Sequence, residues 1–244
     1  MLIRSAFLAL TLAAGAAQAA PIAITQPWTA GWKNNAAATA ENGNTLKFTS
    51  SSDDASVRKL GKPQSANTGI VVDFWFEYSG RVDNNDFLGL WLANSTDKLK
   101  DSDGPNIGFK ANCGPKGSCK DDVFVRLGGT DGFYIKDSNL VQGQKYHLMG
   151  HLYKTGSTKF YDSFDAWLNP TAAEIASLSN PDAHATGKAN VSAIDLIGFR
   201  SYGVDSTITM RVSDLNVRAV PEPGTLALFG LALAGVATLR RKRA

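Results

Sequence analysis

His147 and His151, Asp73 and Glu77, and Cys113 and Cys119 are the pairs whose residue types and spacing could do chemistry. Histidines at i and i+4 chelate one ion when a helix stacks them on one face. Here Tyr146, Leu148 and Leu152 alternate with His147, Met149, His151 and Tyr153, which is the period of a strand. Four residues along a strand span about 13 Å, too far for one ion bound at ~2 Å. No shared metal is expected. Asp73 and Glu77 have the same spacing on another strand-like run, whereas paired glycosidase carboxyls stand ~5–5.5 Å or ~6.5–9.5 Å apart. Solvation of a sheet face is the reading they support.

Cys113 and Cys119 are separated by Gly-Pro-Lys-Gly-Ser, and no further Cys or His lies nearby at zinc-ligand spacing. In an oxidising compartment they are expected to form a disulfide around a small loop, contributing about 2 kcal/mol. Asp83-Asn-Asn-Asp86 and Asp101-Ser-Asp103 offer oxygens that calcium could use. Neither has the full spaced loop with a terminal Glu, and turns favour the same residues, so no cofactor is expected and calcium stays an alternative. Gly128-Gly-Thr-Asp-Gly132 is followed by no Lys or helical pattern and reads as a turn, not a phosphate loop. No Ser/His/Asp elbow or Cys/His nucleophile pair is present, and the chain is read as non-enzymatic.

The elements that must carry these residues are strands. Segments 69–78, 87–92, 123–127, 145–153, 159–168, 194–202 and 207–217 are rich in Val, Ile, Phe, Tyr and Trp, and Gly, Asn, Asp and Ser clusters separate them. Segment 34–56 reads as loops around the strand Thr45–Thr49. In the last segment Ile208, Met210 and Val212 alternate, then Leu215 and Val217 resume one position out of phase, which predicts a β-bulge. Asn169–Leu178 breaks the pattern, with Pro170 near a helix start, Thr171 as a cap and good helix formers after it. The expected fold is an all-β antiparallel sandwich with one short helix, formed by a single domain over residues 20–219.

Three tryptophans lie on these strands. Trp75 shares a face with Asp73 and Glu77, Trp167 shares one with Asp165 and Ser163, and Trp91 lies opposite Leu88, Leu90 and Leu92. A flat aromatic beside polar groups is what a sugar ring needs. Large aromatics ordinarily fill the core between sheets, and that role is favoured, with carbohydrate binding by Trp75, Trp91 and Trp167 as the alternative.

The two ends carry a different kind of signal. Met1-Leu-Ile-Arg4, an apolar run from Ala6 to Ala14 and Ala17-Gln18-Ala19 make up a secretory signal peptide over residues 1–19. At the other end stand Pro221-Glu222-Pro223, an uncharged run from Thr225 to Leu239, and Arg240-Arg-Lys-Arg243. The apolar run would span about 22 Å as a helix, short of a ~30 Å hydrocarbon core, and the cations would stay cytoplasmic. With the start exported and the tail held inside, the domain between them is expected outside the cytoplasmic membrane.

The formal charge of +3 belongs to these ends. Without Arg4, the four tail cations and Glu222, the segment 20–220 is close to −1. No basic face is suggested, so nucleic acid is not an expected partner.

The tail resembles the PEP-CTERM sorting signal, with Pro221, Glu222 and Pro223 as motif, Gly224 to Leu239 as short transmembrane helix and Arg240 to Arg243 as basic end, together residues 220–244. The resemblance implies recognition by an exosortase-type membrane enzyme, transient association with the inner membrane, removal of the tail, and delivery to the cell surface or extracellular matrix. The order of a long aromatic strand, Phe87-Leu-Gly-Leu-Trp-Leu92, an Asn/Gly-rich loop, Trp167-Leu-Asn-Pro170 and Val212-Ser-Asp-Leu-Asn-Val217 resembles the concanavalin A-like, laminin-G-like jelly roll. That resemblance implies two curved sheets and, in many members, carbohydrate binding. Together they suggest a non-catalytic surface or matrix protein contacting exopolysaccharide; a jelly-roll polysaccharide-active enzyme and a purely structural component are the alternatives.

Overall fold

The computed structural model describes residues 27–33, 38–99, 104–114, 119–128 and 132–220. The segment 1–19 read as a signal peptide, the tail from Pro221 onward and the Asp101–Asp103 segment lie outside them.

Among the described residues thirteen strands run in chain order: β1 (Ala38–Asn42), β2 (Thr45–Phe48), β3 (Ser52–Gln64), β4 (Ile70–Ser79), β5 (Phe87–Ala93), β6 (Asn106–Lys110) and β7 (Val123–Arg126). They continue with β8 (Phe133–Tyr134), β9 (Tyr146–Tyr153), β10 (Ser163–Leu168), β11 (Ala183–Thr186), β12 (Ile194–Tyr202) and β13 (Thr209–Ala219). One sheet has the order β1-β2-β13-β4-β9-β10-β11, the other β3-β12-β5-β6-β7-β8, and every pairing is antiparallel. The chain crosses repeatedly between the two sheets, as in a jelly roll. The expected sandwich is borne out.

Alternation decides which side chains meet between the layers. Ile70, Val72, Phe74 and Phe76 of β4 point inward against Leu88, Leu90 and Leu92 of β5, with Ile107, Phe109 and Phe199 completing the centre. Phe76, Tyr78 and Phe109 stack with centroids 5.1–6.3 Å apart. The expected bulge in the last strand is present. Register against β4 slips between Ser213 and Asn216, where Asp214 takes φ 55°.

The helix also forms where expected. α1 (Ala172–Ser177) is capped by Thr171, whose side chain accepts from the Glu174 N–H while Glu174 accepts from the Thr171 N–H. It lies on the outer face of the seven-stranded sheet, where Ile175 and Leu178 cover Val71, Met149 and Trp167.

Val220 belongs to the same cluster and closes the described chain. Its N–H donates to the Gly69 carbonyl at 3.1 Å, and its own carbonyl accepts from the Thr68 hydroxyl. Gly69 sits at φ 85°, and a Cβ there would fall 1.9 Å from the Leu152 carbonyl oxygen, so only glycine fits this approach of β4 to β9.

Candidate functional site

Asp73 and Glu77 point outward from β4, as alternation requires, and both are engaged. Asp73 accepts from Arg218 at 3.0 Å and Asn216 at 3.2 Å, with His147 Nε2 at 3.4 Å. Glu77 faces Arg211, which also donates to Glu41 at 2.8 Å. His147 and His151 likewise take separate partners. His147 stacks on Trp75 directly across the β4–β9 pair, with centroids 4.9 Å apart. His151 donates through Nε2 to the Thr68 carbonyl at 2.7 Å. Among the described residues, no group of three or more His, Cys, Asp or Glu could hold a metal ion. Asp86 turns its carboxylate onto the Asp83 N–H at 2.6 Å, which is turn chemistry. Cys113 and Cys119 are joined in a disulfide.

Burial pushes the His151 pKa below its usual value, opposed by the Thr68 hydrogen bond and by Asp165. The unfolded chain takes up a proton as pH falls through about 6.5, while the folded imidazole resists until lower pH. Stability is therefore full above about pH 6.5 and declines below it. In urea titrations at pH 7.5 and 5.5, His151→Gln is expected to lose less stability on acidification than the wild type. An equal loss in both proteins would contradict this account of His151.

The three tryptophans separate. Trp75 is 38% exposed, Trp91 3% and Trp167 0%. The favoured expectation of core filling needs a correction of place. Trp91 and Trp167 are buried, but on outer faces rather than between the sheets. Trp167 lies under α1, and Trp91 packs with Val57, Leu99 and Leu196 beside the 3₁₀ turn Thr96–Leu99. Trp75 borders a polar hollow of about 220 Å³ whose charges, Arg211 with Glu41 and Glu77, are already matched.

The outer face of the six-stranded sheet holds a groove of about 290 Å³ that follows from strand register. Three rows of side chains cross it: Tyr202–Phe87–Lys110, then Arg200–Gly89–Gly108–Phe124–Tyr134, then Gly198–Trp91–Asn106–Arg126. The paired glycines hollow the middle row. A Cβ on Gly89 would come within 2.8 Å of the Trp91 ring, so the indole lies flat along the sheet. Phe87 and Tyr202 stack at 5.9 Å, and the Arg200 guanidinium lies 5.6 Å from the Phe87 ring and 6.0 Å from Trp91. Tyr202 is 51% exposed.

Lys110 and Arg126 bring charge to opposite ends of this aromatic strip, and no Asp or Glu is among the described lining residues. Burial, and then Arg126, depress the Lys110 pKa. Asn106 is fully buried in the groove floor; its Nδ2 donates to the Gly104 carbonyl at 2.7 Å, and its Oδ1 has no hydrogen-bond partner. Of this set only Trp91 had stood out as a site candidate. Phe87-x-Gly89-x-Trp91 was a readable outward signal, but Asn106, Lys110, Arg126 and Arg200 join it only through pairing.

At the other end of the chain, residues 219–243 match the PEP-CTERM protein-sorting motif. The chain carries a PEP-CTERM sorting signal. Such a motif implies export and processing by an exosortase-type enzyme, with membrane-anchored sorting before release. It begins at the last residues described, Ala219 and Val220, which are held by β4 and Gly69. Among the described residues no helix is long and apolar enough to cross a membrane.

No curated protein sequence matches the chain. Among solved structures it is similar to a functionally unknown protein from Saccharomyces cerevisiae (10% identity, TM-score 0.48, covering 81% of this chain and 100% of that one). It is also similar to the carbohydrate recognition domain of Emp46p (13%, 0.48, 77% and 87%). A third likeness is to lectin I-B4 from Griffonia simplicifolia (12%, 0.45, 74% and 89%). These are likenesses of overall shape, and the chemistry is argued from this chain's own residues.

Proposed function

We propose that the protein is an exported, non-catalytic glycan-binding component of the bacterial surface or matrix, delivered through its PEP-CTERM tail and contacting exopolysaccharide. Its binding surface is the outer face of the six-stranded sheet, not the trio Trp75, Trp91 and Trp167. The observation that carries this reading is the groove in which half-buried Phe87 and exposed Tyr202 stack beside Lys110 and Arg126, with Trp91 and Asn106 buried beneath them. Apolar ring faces of a sugar match the aromatics, and its hydroxyls match the polar neighbours. The non-catalytic part of the proposal is supported by Asp73, whose carboxylate is occupied by its own neighbours, and by the groove's cationic lining.

Titration with the exopolysaccharide of the producing organism tests this. Tyr202→Ala removes an exposed ring and is expected to weaken binding about 5–30-fold with little loss of stability. Trp75→Ala is expected to leave affinity unchanged. The reverse result, with Trp75 essential and Tyr202 dispensable, would move the site to the other sheet.

A further inference from the structure

A neutral sugar surface does not need uncompensated cations. The segment 20–220 is close to neutral, yet Lys110, Arg126 and Arg200 all line one groove in which no described lining residue is acidic. Arg200 is committed to the rings of Phe87 and Trp91. Lys110 and Arg126 are placed differently. Lys110 lies at the Phe87 end of β6, and Arg126 on β7 faces Asn106. Both are partly buried, and neither forms an ion pair among the described residues. Arg126 lies over the Phe124 ring at 5.7 Å, with its Nε buried and unpartnered. Two cations lining one groove without a described acidic neighbour, beside a buried Asn106 oxygen without a donor, are groups that a ligand's oxygens and hydroxyls can satisfy. The donor for Asn106 is a hydroxyl. The acceptors for Lys110 and Arg126 are anionic oxygens, and Arg126 takes a planar carboxylate in its fork.

We propose that the groove takes an acidic polysaccharide of the uronate class, with sugar rings on Phe87 and Tyr202, carboxylates on Lys110 and Arg126, and a sugar hydroxyl donating to Asn106 Oδ1. This rests on the reading that the face binds glycan and adds the charge of the ligand. The spacing supports a chain rather than a single sugar. Asn106, which pairs with Arg126, is four residues from Lys110 along β6, about 13 Å of backbone.

The test titrates the purified protein with polygalacturonate, with the same polymer after carboxyl reduction, and with duplex DNA. Polygalacturonate is expected to bind, and raising salt from 50 to 500 mM to weaken it. The reduced polymer and DNA are expected to bind at least 10-fold less tightly. Lys110→Gln and Arg126→Gln are each expected to cost about 10-fold or more against polygalacturonate, while Arg126→Lys recovers part of the loss. Thermal melts of the variants should match the wild type, because neither side chain is fully buried.

Equal affinity for both polymers, insensitive to Lys110→Gln and Arg126→Gln but weakened by Tyr202→Ala, would overturn the acidic-ligand inference and leave glycan binding standing. Tighter binding to DNA than to polygalacturonate would overturn it in favour of a nucleic acid. No binding to either polymer or to the native exopolysaccharide would remove both the inference and the reading beneath it.

Discussion

Trp167→Ala is expected to destabilise the sandwich by about 3–5 kcal/mol, a large share of the ~5–15 kcal/mol that holds a typical domain. The indole has no solvent exposure, and its Nε1 donates to the Ser179 carbonyl at 3.0 Å. It sits opposite Met149 in the β9–β10 pair and carries α1 through Ile175 and Leu178. Because α1 is a short helix, it depends on this packing to stay folded. Val220 shares the cluster, so the same truncation loosens the point where the sorting tail leaves the domain. Equilibrium unfolding in urea measures the first effect, and proteolysis at the Val220 end measures the second. A midpoint within error of wild type would show that the helix and its cluster contribute little.

Replacing Pro221, Glu222 and Pro223 together with alanine is expected to abolish tail removal and leave full-length protein in the membrane fraction. The motif match starts at residue 219 and so overlaps the last described residues, of which Val220 is hydrogen-bonded to Gly69 and Thr68. The motif's two prolines lack N–H donors and disfavour helix and strand pairing, a property of the sequence that alanines would remove. Alanines would let either strand or helix extend across the site. Fractionation and immunoblotting of the producing cells read the result; unchanged processing would mean that recognition lies elsewhere in the tail.

Much of this architecture is written in alternation. The β4 strand, the bulge between Val212 and Leu215, the Thr171 cap and the Cys113–Cys119 bond follow from local chemistry and form as expected, and alternation along β4 turns Ile70, Val72, Phe74 and Phe76 inward. β3 was hidden because it is an edge strand, polar along much of its length and carrying Pro63 near its end, a residue that edges tolerate. β6 was hidden by its brevity and its central glycine. Trp91 stood opposite Leu88, Leu90 and Leu92 in the sequence, yet burial between the sheets was the favoured reading, because the 3₁₀ turn and α1 that cover Trp91 and Trp167 on outer faces arrive from elsewhere in the chain. The groove needed one further kind of information. Side chains from β5, β6, β7 and β12 become neighbours only when register is set, and no spacing within a single strand encodes it.

The central claim is that a finished β-sandwich is delivered outside the cell by a tail that does not stay with it. Intact mass and C-terminal peptide mapping of the protein from its native host test this most directly. The account predicts a chain ending close to Val220, without the apolar run and without Arg240 to Arg243. A mature protein that still ends at Ala244 would contradict it.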